Sequence, residues 1–200
     1  MVLRALPLLG YHRVVFFEAS LTPPPPTFRP STPLEFAFVG PEALADLAAF
    51  RPRVDKGEFE RRFDMHERCF VARTGGTIVC AYWAHRRTVR LRNVGCELIV
   101  DDDAVYVFDA FTSPEMRGKR IGSVVWRELN KRLASEGYDR SLSYVLGGNE
   151  AGLINARRAG SRETHRVAAL KLGPLPPVRL PYRARNSNAN ADQSRLSERQ

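Results

Sequence analysis

The sequence predicts a mixed α/β fold, and three observations support this prediction. Two apolar, strand-like runs flank the pair Gly75-Gly76, which is typical of an antiparallel hairpin. Strand-like and helix-like segments then alternate up to about residue 172, as they do where helices pack on a sheet. Hydrophobic residues make up 44% of the 200 residues and charged residues 26%, so the chain can bury a core.

The N-terminal part of the chain predicts two strands joined by a stiff connector. β-Branched and aromatic residues favour a strand over 12–18, and rough alternation favours another over 34–39. The prolines of 23–26 cannot continue a strand, so we expect an exposed connector there. The spacing of apolar residues then predicts helices over 42–50 and about 56–68.

The central part predicts the hairpin and two further strands. The third of these strands is expected to bend near Gly95, and the acidic residues 101–103 predict a turn before the fourth. In chain order, the predicted strands are 69–73, 77–84, 89–100 and 105–111.

The C-terminal part predicts two helices that alternate with two strands. Apolar residues recur every four positions over 121–136, and Gly137 ends that helix. A strand over 141–146, a helix over about 150–159 and a last strand over 166–172 follow.

The charge of the chain leaves three interpretations open. The formal net charge is +9, and nearly all of the basic excess is arginine. The partner could be a polyanion, it could be a phosphorylated small molecule such as coenzyme A, or the arginines could form a solvated surface. No helix-turn-helix, RNA-binding or zinc signature is present, so the sequence does not favour nucleic acid.

The cysteines and histidines do not predict a metal site. The spacings of Cys69, Cys80 and Cys96 match no zinc or redox pattern, and the histidines are scattered. Buried apolar packing in strands is the simpler role for the thiols.

The most informative stretch joins a predicted strand to the helix that begins at Ile121. Gly118 and Gly122 let the backbone approach a ligand, and the first N–H groups of a helix have no internal partner. Such groups favour an anion such as pyrophosphate. The stretch matches neither the ATP-type nor the NAD-type phosphate loop. Three basic residues add charged donors: Arg117, Lys119 and Arg120.

This stretch resembles the coenzyme-binding segment of the GCN5-related N-acetyltransferase (GNAT) family, of bacterial type. The family has Arg/Gln-x-x-Gly-x-Gly/Ala after a strand and a Pro-Glu pair, and residues 114–123 here read Pro-Glu-Met-Arg-Gly-Lys-Arg-Ile-Gly-Ser. Arg120 stands where the family usually has its middle glycine, which leaves less room near the pyrophosphate. Asn149 and Gly160 match a second landmark, although Ser161 replaces its phenylalanine.

The resemblance, which is clear over 105–160, implies a fold and a cosubstrate. The GNAT-like fold has a central mixed, mostly antiparallel sheet, flanked by helices, with a V-shaped split between two parallel strands, here 105–111 and 141–146. Acetyl-CoA would lie with its pantetheine arm in the split, bound near Phe111 and Ser113, while Asn149 would face the arm or the acceptor. The pyrophosphate would contact the following loop and helix start: Arg117, Gly118, Lys119, Arg120, Ile121, Gly122 and Ser123.

Composition predicts the two terminal segments and the location, and the resemblance implies only the domain between those segments. Residues 1–33 would form an N-terminal strand and proline-rich connector, 34–173 the GNAT-like domain, and 174–200 a proline-rich, then polar and disordered tail. No stretch approaches the roughly 20 apolar residues of a membrane span, and the N-terminal apolar run is too short for a signal peptide. We therefore expect a cytoplasmic protein.

The implied activity is direct transfer of an acetyl or other acyl group from acyl-CoA to an amine, here a small molecule. Asp109 is the first candidate for the base and Glu97 the second. The alternatives are an arginine ion pair for Asp109 and an ordinary strand-face role for Glu97.

The family's tyrosine acid is missing, because its position falls at about Ala156, and Tyr144 or Tyr138 could substitute. Two other functions stay open: a GNAT-shaped protein that binds CoA without efficient catalysis, and a basic nucleic-acid-binding protein. A homodimer is compatible with the sequence.

Overall fold

An eight-stranded sheet forms the centre of the computed structural model, which describes residues 9–23, 32–92, 94–172, 175 and 177–180. Short 3₁₀ turns precede α1 and α3. The strands are β1 Leu9–Ser20, β2 Glu35–Val39, β3 Arg68–Thr74, β4 Thr77–His85, β5 Val89–Leu91, β6 Cys96–Leu98, β7 Ala104–Thr112, β8 Arg140–Leu146, β9 Arg162–Leu172 and β10 Val178–Leu180. The helices are α1 Leu44–Phe50, α2 Lys56–Asp64, α3 Ile121–Ser135 and α4 Glu150–Arg158.

The sheet is mostly antiparallel and contains one parallel pair, which confirms the predicted fold class. Its strand order is β10-β9-β1-β8-β7-β4-β3-β2, and β7 and β8 form the parallel pair. Their pairing begins at Ala104 with Arg140 and ends at Tyr106 with Leu142, although both strands continue. A split therefore opens between β7 and β8 beyond Tyr106.

The N-terminal strand β1 lies inside the sheet, between β8 and β9. It pairs antiparallel with β8 over 14–20 and with β9 over 9–18. The sequence predicted this strand but not its neighbours. The domain plan stays a prediction, and most of the proline connector and residues 181–200 lie outside the described part of the chain.

Helices cover one face of the sheet, and helices together with a small hairpin cover the other. On the first face, the predicted stripe of α3 packs on β3, β4 and β7, while α4 packs on β1. On the second face, α1 and α2 pack on β3 and β4, and the β5–β6 hairpin packs on β1, β8 and β9. The buried α3 stripe is Ile121, Val125, Leu129 and Leu133.

Four elements differ from their predicted bounds by three residues or more, and the first is β1, which spans Leu9–Ser20 where a strand over 12–18 was predicted. Helix α2 ends at Asp64 because His66 adopts a left-handed conformation with φ 58°, and β3 begins two residues later. The predicted strand 89–100 is two short strands that pair with each other, with Gly95 at φ 61° between them. Strand β9 begins at Arg162 because its pairing with β1 extends that far.

Candidate active site

The loop between β7 and α3 presents a run of backbone N–H groups without partners. The Arg117 N–H donates to the Pro114 oxygen (3.2 Å), and the Val124 N–H donates to the Arg120 oxygen (3.2 Å). Between them, none of the N–H groups of 118–123 makes a hydrogen bond of normal geometry within the described part of the chain. These groups converge at the positive end of a 15-residue helix, so they form a cradle for an anion.

Two left-handed residues shape this cradle. Gly118 has φ 77° and Arg120 has φ 60°, and such alternation turns successive N–H groups toward one concave side. A Cβ on Gly118 would meet nothing within 4 Å, so glycine is needed there for its conformation alone. Arg120 holds a conformation that glycine adopts without strain, which accounts for the family's glycine at this position.

Gly122 has a packing role that the sequence did not predict. A Cβ on it would lie 2.9 Å from Asn155 Oδ1 and 3.4 Å from Tyr82 Oη. These side chains belong to a hydrogen-bonded chain in which Ser123 Oγ donates to Asn155 Oδ1 (2.8 Å), Asn155 Nδ2 to Tyr82 Oη (2.9 Å), and Tyr82 Oη to the Gly122 oxygen (3.0 Å). These three hydrogen bonds fix the start of α3 against β4 and α4.

A basic cavity of about 220 Å³ lies beside the cradle. Its lining includes three arginines, and Arg127 Nη2 donates to the Arg158 oxygen (2.6 Å). The sequence pointed to Arg120 but missed the other two arginines, although the seven-residue spacing on one helix face was a usable signal for Arg127. The lining residues are Arg120, Ser123, Val124, Arg127 and Arg158.

Some backbone N–H groups of β7 beside the split are hydrogen-bonded to β4, and others point toward β8. The Ser113 N–H donates to the Val79 oxygen on the β4 side (2.9 Å). Phe111, two residues earlier and paired with Ala81, points its backbone groups to the same side, so the Thr112 N–H points toward β8. The structure therefore turns Thr112, between the two predicted residues, toward the split.

Asp109 lies at a β-bulge of β7, beside the split. Its φ is 46°, and the β4–β7 register shifts at this point. Asp109 Oδ2 accepts hydrogen bonds from Arg51 Nη1 and Arg62 Nη1, both at 2.6 Å. The arginine ion pair that the sequence offered as the alternative is thus present, with two arginines. No hydrogen bond reaches Asp109 Oδ1 from residues that the structure describes.

Glu97 lies in the small hairpin and faces away from the central sheet. Cys96 and Leu98 pack inward against β1, β8 and β9, so the alternation of β6 turns Glu97 outward. Its carboxylate accepts a hydrogen bond from Arg90 Nε (2.8 Å). The structure does not bring Glu97 together with Asp109.

Asn149 caps helix α4, since its Oδ1 accepts a hydrogen bond from the Gly152 N–H (3.0 Å). Ala156, at about the position where the family often has a tyrosine acid, is buried and packs with Val15 and Phe17. No acid is available there.

The two substitute tyrosines lie at opposite ends of β8. Tyr138 precedes the strand, near Arg86, whose guanidinium lies 5.6 Å from the tyrosine ring. Tyr144 lies two residues beyond Leu142, where the pairing of β7 and β8 has ended. Only Tyr144 is therefore placed at the split.

Aromatic rings form a row across the second face of the sheet, next to Arg62. Burial lowers the pKa of His85 to about 4, and the positive charge of Arg87 adds to this. His85 Nδ1 accepts a hydrogen bond from the Arg87 N–H (3.0 Å), so the neutral ring carries its proton on Nε2. Adjacent ring centroids lie 4.4 to 6.3 Å apart along Phe108, His85, Tyr106, Tyr144, Phe16 and His165.

Two of the three thiols, those of Cys69 and Cys80, are buried, and the third, that of Cys96, is partly exposed. Burial raises the pKa of both Cys69 and Cys80 to about 12, so neither forms a thiolate near neutral pH.

Within 9–23, 32–92, 94–172, 175 and 177–180, no group of three or more His, Cys, Asp and Glu residues could hold a metal ion. In the same residues, no helix has the length and apolarity needed to cross a membrane.

The sequence matches the model of the acetyltransferase (GNAT) family over residues 36–153, and the chain belongs to this family. The match spans β2 to the first turns of α4 and includes the N–H cradle, the split and Asp109. A search of curated proteins found no match.

Solved structures agree with the fold. GNAT-family proteins from Colwellia psychrerythraea, Sphaerobacter thermophilus and Kribbella flavida superpose with TM-scores of 0.57, 0.56 and 0.56, at 15%, 17% and 14% identity. The matches cover 80%, 80% and 81% of this chain but only 55%, 52% and 58% of those chains. The chain thus spans little more than half the length of these structural relatives.

Proposed function

We propose that the protein is an N-acyltransferase that moves an acetyl or other acyl group from acyl-CoA to a small amine, in the cytoplasm. The observation that carries this proposal is the cradle of N–H groups at 118–123, which adjoins a cavity lined by three arginines. Coenzyme A carries a pyrophosphate and a further phosphate on its ribose. The cradle suits the first of these anions and the cavity the second.

The pantetheine arm would enter the split between β7 and β8. The arm carries amide groups that need backbone partners, and the Thr112 N–H is oriented toward this space. The thioester would then lie near the β7 bulge, with Asp109 on one side and Tyr144 on the other.

In the proposed reaction, the amine nitrogen attacks the thioester carbonyl carbon and the carbon–sulfur bond breaks. An alkyl amine with a pKa of about 10.4 must first lose a proton, and in this proposal Asp109 Oδ1, which accepts no hydrogen bond from the described part of the chain, takes it. The thiolate leaves and takes a proton from water or from the Tyr144 hydroxyl. The products are an amide and free CoA.

A catalytically weak CoA-binding protein is the second candidate function. The observation that favours it is Ala156, which is buried where relatives of the family have a tyrosine acid. This candidate predicts acyl-CoA binding without acyl transfer to any amine.

The test is a thermal melt with acetyl-CoA, with ATP and NAD as controls, followed by release of CoA thiol in the presence of amines. A ligand at 100 times its Kd adds about 2.7 kcal/mol to the free energy of unfolding, which raises the midpoint measurably. Arg120→Gly keeps the left-handed backbone but removes a guanidinium, so we expect a smaller shift with acetyl-CoA.

Arg132→Ala is the matched control, because Arg132 is exposed at the other end of the same helix. It should melt and bind as the unchanged protein does. No shift with millimolar acetyl-CoA would refute the coenzyme site and with it the acyltransferase.

A further inference from the structure

We propose that the acceptor is an α-amino acid whose carboxylate binds to Arg51 and Arg62 beside the split. This inference rests on the proposed acyltransferase function and names the class of its acceptor. It starts from the two arginines that converge on Asp109 although they lie 58 and 47 residues away in the sequence.

The two arginines come from α1 and α2, which pack on β3 and β4 on the second face of the sheet. Arg51 follows the last residue of α1, and Arg62 lies on α2. Both Nη1 atoms lie 2.6 Å from the same oxygen, Asp109 Oδ2, at the β7 bulge. The three groups thus stand where an acceptor would meet the thioester.

Arg51 and Arg62 hold their charges where little water reaches them. Their side chains are only 18% and 12% exposed, whereas Arg61, which also pairs with Glu58, is 56% exposed. Asp109 and Glu58 are the carboxylates that face the two shielded arginines. Charge-assisted hydrogen bonds are stronger where water is scarce, so guanidinium donors in this place favour a bound carboxylate.

The guanidinium planes are held in position by aromatic rings. The Arg51 guanidinium lies 4.7 Å from the Phe111 ring, and that of Arg62 lies 4.9 Å from the Trp83 ring and 5.3 Å from the Phe108 ring. Such stacking leaves the in-plane N–H donors to hydrogen-bond. Binding would therefore need little side-chain reordering.

Hydrogen-bond donors on the two arginines and a hydrogen-bond acceptor on Asp109 are unused, and together they suit a zwitterion. Arg51 Nε and Nη2, Arg62 Nη2 and Asp109 Oδ1 make no hydrogen bond with the part of the chain that the structure describes. An α-amino acid carries its ammonium and carboxylate on one carbon. Its carboxylate would take the guanidinium donors, and its ammonium would face Asp109 Oδ1, the proposed proton acceptor.

The experiment compares each amino acid with the amine that it becomes on decarboxylation: glycine with methylamine, and L-phenylalanine with phenethylamine. Release of CoA thiol gives kcat/KM for both members of a pair. A charge-assisted hydrogen bond contributes about 1.5 to 3 kcal/mol, so we expect the amino acid to be favoured about tenfold to hundredfold.

The variants Arg51→Gln and Arg51→Lys separate the charge from the fold. Arg51→Gln should raise KM for the amino acid at least tenfold more than it raises KM for the matched amine, while Arg51→Lys should recover part of the affinity. Arg132→Gln removes an exposed arginine from α3 and should behave as the unchanged protein. Thermal melts verify that each variant folds and responds to acetyl-CoA.

Two results would overturn the inference. If decarboxylated amines react as fast as the amino acids, the carboxylate is not recognised, although the acyltransferase itself stands. If the protein binds acetyl-CoA but calorimetry detects no amino acid binding to the CoA complex, the acceptor belongs to another class. Loss of the acetyl-CoA shift would instead refute the proposed function.

Discussion

At the scale of single residues, His85 is a group whose protonation the fold controls. It lies at the end of β4, with ring centroids 5.1 Å from Tyr106 and 5.2 Å from Phe108. Burial, and then the charge of Arg87, lowers the pKa of His85 from its ordinary value of 6.5 to about 4. At neutral pH the ring is therefore uncharged and accepts the Arg87 N–H hydrogen bond.

This lowered pKa predicts a pH-dependent stability. The unfolded chain protonates His85 near pH 6.5, whereas the folded chain does so only near pH 4. The contribution of His85 to stability is therefore fully present above about pH 6.5 and is lost as the pH falls toward 4. Urea unfolding at pH 7, 6 and 5 should give a smaller decrease for His85→Gln than for the unchanged protein. Equal decreases would refute the assigned pKa.

Asp109 illustrates the limit of residue-level inference from sequence. A carboxylate on a strand before the motif suggested a base, and the alternative was an ion pair with an arginine. The structure contains that ion pair, yet Oδ1 stays open for a proton. No spacing rule could have found Arg51 and Arg62, because their approach to Asp109 depends on how α1 and α2 pack on the sheet.

At the scale of elements, the start of α3 is held by contacts that cross three of them. Tyr82 on β4, Asn155 on α4 and Ser123 on α3 form one hydrogen-bonded chain. Burial raises the pKa of Tyr82 well above its ordinary value, so its hydroxyl remains a donor to the Gly122 oxygen. The glycine that marks the family motif thus has a packing role.

A double-mutant cycle tests this connection. Tyr82→Phe and Asn155→Ala each remove one partner of the 2.9 Å hydrogen bond, and each should lower the free energy of unfolding by about 1 to 3 kcal/mol. The double variant should lose less than the sum, because the second change removes a bond that is already gone. Additive losses in urea titrations would show that the two side chains act independently.

The hydrogen bonds among Tyr82, Asn155 and Ser123 also hold the N–H cradle against the sheet. Both single variants should therefore weaken the acetyl-CoA shift more than their loss of stability alone explains. Ser135→Ala, which removes an exposed hydroxyl bonded within the last turn of α3, is the control.

At the scale of the whole molecule, the sheet is completed by the first strand of the chain. Strand β1 joins β8 to β9 and buries Val14, Val15, Phe16 and Phe17. The family match begins at residue 36 and does not include this strand. The sheet therefore includes a strand that lies outside the family match.

A fragment experiment follows from this arrangement. Residues 34–173 alone lack β1, so β8 and β9 lose their common partner, and we expect no cooperative unfolding transition. In the full chain, Phe17→Ala should cost about 3 to 5 kcal/mol, because the side chain is 2% exposed, while Tyr11→Ala on the same strand, 59% exposed, should cost little. A cooperative melt of 34–173 would show that the sheet closes without β1.

The sequence by itself determined the fold class, the hairpin at Gly75-Gly76, the α3 stripe and the start of α3 at Ile121. These depend on local periodicity, turn chemistry and helix ends, which neighbouring residues in the chain fix. Only the tertiary structure decided the place of β1, the two arginines on Asp109, the approach of Arg127 and Arg158 to Arg120 in the cavity, and the Tyr82–Asn155 contact. The physical reason is that each of these joins groups far apart in sequence, whose distance is set by the packing of whole elements.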